Sequence, residues 1–555
     1  MDNQRVFLWI ALAIVVWMNY MAFIQYQQSS AAPASAVDER VAPALPADAD
    51  VPGLPAAEDI PAPPAVAAVA EEAAPAAPET AARTVRVTTD VLDLEVSLRG
   101  GDLVKALLPT YPVHKNQPDV PVQLLDPTRD GLFIFRTGLT STASEASTRP
   151  DTEFESPQSE FRLAPGQDLL EVPLTAQLDG GVTVTKTYRF RRGQYAVELE
   201  QSVANRGEAA WTGASYLQIR RLHNPPNRSM MDVETYSFRG PVTFNGEKYE
   251  KRDVADLAKA PAEFTAEGGW IASIRHHFLV AAIPAGRAQF TARATPEGLY
   301  TLSAVGMPTT IAPGQESRFT DQLFVGPKLQ DQLRATAPRL RLTVDYGWLT
   351  VISQPLFWVL SKIYGLVGNW GWAIVLMTVL IKAVFYKLSE TSGKSMAKMR
   401  KLQPRMKALQ ERYADDRQKL SQAMMELYKK EKVNPAAGCL PILVQMPVFL
   451  ALYWVLLESV EMRQAPFMLW ITDLSVRDPY FILPLLMGVT MWIQQKLNPA
   501  PPDPVQAKIM QVLPVVFTVF FAFFPAGLVL YWFVNNLLAI TQQWHINKVV
   551  ERGAA

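Results

Sequence analysis

One residue in this chain stands where its chemistry is costly. Lys382 lies inside residues 371–387, read as GWAIVLMTVLIKAVFYK, a stretch apolar enough to enter a bilayer. An ammonium held inside a span costs roughly 2.5–3.5 kcal/mol on insertion scales, so a charge there is a functional hypothesis by default. Trp370 and Trp372 mark one membrane interface, and Tyr386 with Lys387 marks the other. At about 1.5 Å per residue, Lys382 lies roughly 18 Å from Trp370 and roughly 7 Å from Lys387. Thr378, four residues back, stacks on the same face one turn deeper. Two readings follow. Either Lys382 snorkels to the nearby surface, or it marks a polar, water-accessible groove within the membrane.

The elements that must position this residue are unevenly distributed. The 555 residues are too many for one ordinary domain, and their net charge of zero hides a segregation of charge. The apolar fraction of 49% is concentrated at the two ends, which indicates a membrane protein with a large soluble insert. Residues 6–24 (VFLWIALAIVVWMNYMAFI) are longer than a signal-peptide apolar region. The Ala34-Ser35-Ala36 triplet lies well past their end, so a retained first span is expected over a cleaved signal. Residues 25–82 are rich in Ala, Pro and acid and have no period, as in an extended, disordered tether. One cysteine, Cys439, excludes an intramolecular disulfide and reads as an inert packing residue.

From Arg83 to about Pro338 the apolar residues recur at every second position. In 92–98 (LDLEVSL) one face is apolar and the other polar, a half-buried strand ended by Gly100-Gly101. Residues 182–190 and 195–199 form a hairpin through Arg191-Arg192-Gly193-Gln194, and further strands are expected at 278–283, 289–294, 298–303 and 317–325. Such a pattern implies two packed sheets. Its histidines, His114, His223, His276 and His277, lack metal-site spacing, so no metal or cofactor is expected, and no catalytic constellation emerges.

Residues 342–366 are amphipathic, aromatic and broken by Pro355, as in a helix lying on the membrane surface. After Lys387, Met396, Met399, Leu402, Met406, Leu409 and Tyr413 share one helical face. Asp415-Asp416 can cap a second helix carrying Leu420, Met424 and Leu427, which gives a helical hairpin with basic outer faces. Four apolar runs follow, at 440–457, 480–493, 512–524 and 527–540. They contain Gln445, Thr490, Gln494, Asn535, Asn536 and Thr541, groups whose ordinary role is helix–helix hydrogen bonding. Lys and Arg stay inside, so the basic hairpin places itself, both termini and residues 496–511 in the cytosol. The β region then lies outside, and six spans satisfy every loop.

SMAKMRKLQPRMKALQERY (395–413), EKVNPAAGCLPILVQMPVFLALYWVL (431–456), Glu461-Met462-Arg463-Gln464-Ala465-Pro466, YFILPLLMGVTMWIQQK (480–496) and FFPAGLVLYWFVNN (523–536) closely resemble the YidC/Oxa/Alb family of membrane protein insertases. The form resembled is the Gram-negative one, and GGWIASIRHHFLVAAIP (268–284) resembles part of its periplasmic domain. The resemblance implies a polytopic α-helical inner-membrane protein with six spans, a five-helix core, a large periplasmic β-supersandwich and a cytoplasmic helical hairpin.

It divides the chain into a first transmembrane helix (1–25), a linker (26–82), the β-supersandwich (83–340) and an interfacial helix (341–368). The second transmembrane helix (369–388), the hairpin (389–436), helices three to six (437–546) and a short cytoplasmic tail (547–555) follow. Residues of about 26–368 are then periplasmic.

The implied activity is insertion and folding of helical membrane proteins, without cofactor or catalysis, through a groove open to cytosol and lipid. Implied partners are nascent membrane-protein helices, the SecYEG and SecDF translocon components, the ribosome or targeting machinery, and the lipid bilayer. No direct nucleic-acid readout is implied. Lys382 matches the family's groove arginine, keeping the charge but losing the planar fork. Thr378, Phe449, Met487, Phe520 and Trp532 match positions that touch the client, and Trp532 stands beside Tyr531 in place of a usual tyrosine. The recruitment hairpin is implied around Met399, Met406, Asp415 and Met424. Two other classes compete. A secondary transporter could bind a small anion at Lys382, but no inverted repeat or acidic coupling residue is visible in the spans. A membrane-anchored carbohydrate enzyme would leave the additional spans unexplained.

Overall fold

The computed structural model describes residues 83–142, 146–224, 237–413, 416–431, 440–497 and 504–552. The expected first span and linker, Asp415 and Cys439 lie outside the described residues.

The period-two region forms two sheets. One has eleven strands: nine run from Ala262–Glu267 through Arg287–Ala294, Leu299–Gly306, Trp211–Leu222, Phe133–Ser141, Leu103–Pro112, Asp93–Ser97 and Thr84–Thr88 to Glu160–Arg162, while Thr309–Ile311 pairs with Trp211–Leu222 and Pro121–Leu125 with Leu103–Pro112 off this path. The other has eight and runs from Tyr249–Lys251 through Gly240–Phe244, Trp270–Ile274, Phe278–Ile283, Glu316–Pro327, Ala196–Asn205 and Val182–Arg191 to Leu169–Leu178. The alternation read from sequence is what buries one face of each strand. In Val182–Arg191, residues Val182, Val184, Lys186, Tyr188 and Phe190 are buried while their neighbours are not.

Lys186 occupies an apolar slot in that series and is 0% exposed. Its ammonium donates to Gly100 O at 2.7 Å, Thr137 O at 2.5 Å and Thr137 Oγ1 at 3.2 Å, and sits 4.7 Å from the Phe154 ring centroid. Gly100 and Gly101 both have positive φ, at 82° and 67°. A Cβ on Gly101 would come within 3.1 Å of Lys186 Nζ, so the strand-ending glycines also make room for the lysine.

Ten α-helices occur among the described residues. Two are short: α1 (Val254–Lys259) and α2 (Gln330–Thr336). The rest are α3 (Thr350–Val367), α4 (Trp370–Val384), α5 (Tyr386–Arg412), α6 (Arg417–Lys430), α7 (Leu440–Glu458), α8 (Ile482–Leu497), α9 (Pro504–Phe521) and α10 (Ala526–Arg552). Pro355 lies inside α3 rather than breaking it. It stands near the helix start, so a single backbone bond is lost. Asn369 caps α4 by accepting from Trp372 N at 3.0 Å. The apolar run around Lys382 is not one straight helix. It stops at Phe385, and α5 departs at 68°, which leaves Lys382 in the last turn of α4.

Gly347–Val367 is long and apolar enough to cross a membrane by length and composition, and the bent α4–α5 pair passes the same test together. Val444–Glu458 and Lys508–Phe521 are shorter apolar helices. Large apolar side chains face outward, among them Val351 (83% exposed), Leu366 (87%), Val515, Val519 and Phe520. An exposed apolar belt of this kind matches a lipid environment. The α5–α6 hairpin has its own small core, with Leu402, Met406 and Met424 buried and Met399, Leu409, Leu420 and Leu427 against them. Asp416 caps α6 by accepting from Lys419 N at 3.0 Å.

Candidate functional site

Five helices converge on a cavity of about 270 Å³. Helix α4 contributes Lys382; α7 contributes Gln445, Met446 and Phe449; α8 contributes Met491, Gln494 and Gln495. Met510, Leu513 and Pro514 come from α9, and Tyr531, Trp532, Asn535, Asn536 and Ala539 from α10. The α10 set recurs at steps of three and four, so one helical stripe faces the cavity. Close helix approach shapes the wall: a Cβ on Gly488 would fall 2.0 Å from Thr518 Oγ1, so α8 and α9 meet where no side chain intervenes.

The lining divides into amides and soft apolar groups around one cation. No ion pair involves Lys382 among the described residues. Asn536 Nδ2 donates to Thr490 Oγ1 at 3.4 Å, and Thr490 Oγ1 in turn donates to Met487 O at 2.7 Å. Phe449 packs at 4.8 Å edge-on to Trp532 and stacks at 6.0 Å on Tyr531. Trp532 Nε1 is buried and has no hydrogen-bond partner among the described residues. A cation with unused donors, five amides and thioether and aromatic walls can hold a polar or acidic peptide segment without a fixed shape.

Of the residues singled out from sequence, Lys382, Phe449, Tyr531 and Trp532 line this cavity. Thr378 and Met487 are fully buried elsewhere in the bundle, and Thr378 Oγ1 donates to Ile374 O of its own helix at 2.7 Å. Phe520 is 53% exposed on the outer surface, beside Phe521 and Phe524. Met399, Met406 and Met424 belong to the hairpin core. Gln495, Met446, Met491 and Met510 were not expected in the lining. Met446 and Met491 lie inside apolar runs and Gln495 and Met510 just beyond the ends of such runs, but the face each run turns inward is a tertiary property. No group of three or more His, Cys, Asp or Glu side chains that could hold a metal occurs among the described residues.

At the opposite end of the bundle, the segment between α7 and α8 bonds to the starts of α4 and α10. Asn369 Nδ2 donates to Phe467 O at 3.0 Å, Gly527 N donates to Leu474 O at 2.9 Å, and Ala526 N donates to Val476 O at 2.7 Å. The β domain grips the same segment from outside. Arg463 Nη2 donates to Pro112 O at 2.7 Å, Gln464 Nε2 donates to the same oxygen at 2.9 Å, and Lys115 Nζ donates to Thr472 O. Burial pushes the Glu461 carboxyl in this segment up to about 7.

Comparison with known proteins matches both halves of the chain. The family profile described as "60Kd inner membrane protein" matches residues 362–553, and the one described as "YidC periplasmic domain" matches residues 84–359. A protein named membrane protein insertase YidC from Thioalkalivibrio sulfidiphilus (strain HL-EbGR7) is 51% identical over 570 residues, covering 100% of this chain and 99% of its own. One of the same name from Stutzerimonas stutzeri (strain A1501) is 46% identical and covers 100% of both chains. One from Nitrosococcus oceani is 50% identical over 85% of this chain and 87% of its own.

Proposed function

Because this chain belongs to the YidC family of membrane protein insertases, we propose that the five-helix cavity is where it receives its clients. The chain is an inner-membrane insertase with a periplasmic β-sandwich, and its substrates are nascent membrane-protein segments passing into lipid. The observation that carries the mechanism is Lys382 standing among five amides in a cavity walled by methionine and aromatic side chains.

A polar segment of the client enters this cavity, where Lys382 and the amides replace part of its hydration. The cost of moving that segment through hydrocarbon falls accordingly. The client's apolar span meanwhile lies against the exposed outer surface that includes Phe520, and its burial in lipid drives the step without nucleotide hydrolysis. Lys382, Phe449, Tyr531 and Trp532 touch the client, while Thr378 and Met487 act from behind by packing.

Six spans, cytosolic termini and a cytosolic α5–α6 hairpin complete the reading, supported by the segregation of Lys and Arg. The groove then opens to the cytosol, and the hairpin meets the ribosome or targeting machinery while the membrane helices meet Sec components. The relatives are named insertases, which gives the small-anion transporter no support.

The test is insertion of a short single-span client into liposomes holding only this protein. Lys382→Ala is expected to lose about tenfold in insertion rate, equivalent to roughly 1.4 kcal/mol, and Lys382→Arg to restore it. Equal insertion by wild type and Lys382→Ala would leave the lysine as a snorkelling charge.

A further inference from the structure

Four prolines stand past the first turn of a helix among the described residues: Pro355 in α3, Pro404 in α5, Pro447 in α7 and Pro514 in α9. Proline has no backbone N–H, so the carbonyl four residues before it loses its helical donor, and the ring pushes that carbonyl aside. Only at Pro514 do the proline and the residue four before it, Met510, both line the cavity. A helical carbonyl points along the axis toward the residue four ahead. The gap between Met510 O and Pro514 therefore opens on the cavity-facing stripe of α9, where Leu513 also stands.

In membrane helices a carbonyl released in this way is often answered by a hydroxyl or a neighbouring helix. No side chain donates to Met510 O among the described residues. The single hydroxyl of α9 is used elsewhere, since Thr518 Oγ1 donates to Pro514 O at 2.7 Å. Thr518 also meets Gly488 of α8 with no side chain between them, which holds α9 against α8 just past the opening.

The side chains of the cavity are weighted toward donation. Each of the five amides gives two protons and can accept two, while Lys382 and Trp532 only donate. An extended peptide presents an N–H for every C=O away from proline, and both need partners wherever hydrocarbon surrounds them. The donors serve the client's carbonyls and carboxylates. Its N–H groups need acceptors, and a main-chain carbonyl released from its own helix is a strong one.

We propose that Met510 O, released by Pro514, is a backbone acceptor in the groove that takes a main-chain N–H of the client's extended polar segment as it passes. This rests on the reading of the cavity as the client site. Pro514 is a positioning residue, acting through Met510 by withholding a donor. Every residue but proline carries the same N–H, so this contact serves clients of any side-chain sequence, whereas Lys382 responds to charge.

The experiment uses the full chain in liposomes with the short single-span client. Pro514→Ala supplies an N–H that closes on Met510 O. Pro514→α-hydroxyalanine, introduced by nonsense suppression, has the same methyl side chain but an ester oxygen where that N–H would be, so the carbonyl stays open. Pro514→Ala is expected to slow insertion about threefold, and the hydroxy acid to restore most of the rate. With a client whose translocated segment alternates proline with its polar residues, few N–H groups remain and the slowing by Pro514→Ala should vanish. Met491→Cys, in a Cys439→Ser background, reads occupancy of the cavity by disulfide trapping of a single-cysteine client.

No slowing by Pro514→Ala, equal slowing by alanine and the hydroxy acid, or undiminished slowing with the proline-rich client would overturn the proposal. Trapping through Met491→Cys in those cases leaves the client-site reading standing. Absence of trapping from Met491→Cys with Pro514 in place would instead overturn that reading.

Discussion

Lys186 and Lys382 are the same side chain taken out of bulk water in two regions, with opposite outcomes. An ammonium has three protons to donate. Lys186, in the β domain, uses them on Gly100 O, Thr137 O and Thr137 Oγ1, and also lies over the Phe154 ring. Burial lowers its pKa to about 8, with Asp102 opposing the shift. Nothing remains for a ligand. Lys382, in the helical bundle, borders a cavity and takes part in no ion pair among the described residues. A buried polar group whose capacity is consumed by the fold is structural, and one whose capacity is left open is available for function. Lys186 is fully buried and Lys382 half-buried, but partial burial does not by itself mark a functional group. The count of occupied donors does.

That contrast can be broken by exchanging the consequences. Lys186→Met strands two carbonyls and leaves Asp102 buried beside Arg136, so unfolding of the full chain in detergent is expected to come about 3–5 kcal/mol sooner. Insertion per folded molecule should be unchanged. A large insertion defect without loss of stability would make Lys186 the functional lysine and defeat the comparison.

Glu461 extends the contrast to a buried acid. Its carboxyl is raised from 4.5 to about 7 by burial, and Oε2 has no hydrogen-bond partner among the described residues. The folded chain holds this proton more tightly than the unfolded chain does. Its contribution is therefore complete below pH about 4.5 and is lost as pH rises through about 7. Glu461→Gln is expected to add on the order of 2 kcal/mol at alkaline pH and to flatten that part of the profile, measured by thermal unfolding at several pH values. An unchanged profile would mean that another group controls it.

Client charge sharpens the Lys382 side. Changing one acidic residue to lysine in the client's translocated segment should slow insertion by roughly fivefold in the presence of Lys382 and by much less with Lys382→Ala, since the repulsion is then gone. Identical slowing in both proteins would remove charge from the mechanism. The smallest effect is expected for Asn536→Leu. It breaks a long contact to Thr490 and removes one of five amides, for about a twofold loss with clients of any charge. A loss confined to acidic clients would instead assign Asn536 to the lysine's charge.

Much of this was local information and therefore legible. Period-two alternation identified the strand at 182–190 because each inward side chain answers to its own sheet, and steps of three and four found the hairpin stripe that Met406 and Met424 bury. A lone lysine in an apolar run pointed to the cavity before any fold was known, and family resemblance drew Phe449, Tyr531 and Trp532 to the same place. Resemblance alone did not separate these from Thr378, Met487 and Phe520, which stand behind or outside the cavity. The break at Phe385 was hidden for a related reason: the run stays apolar through it, and composition does not register a change of direction.

By itself the sequence determined that a β region is joined to an apolar helical region, which strand residues alternate between faces, and where a lysine interrupts an apolar run. Each of these follows from the periodicity and transfer energy of a single segment. The tertiary structure alone decided that Gln495 and Met510 share a cavity with Lys382, that Lys186 is spent on Gly100 and Thr137, and that His276 reaches the end of α7 from another domain. Those outcomes depend on how close helices and sheets approach, as at Gly488 against Thr518, and on which face each element turns to distant partners.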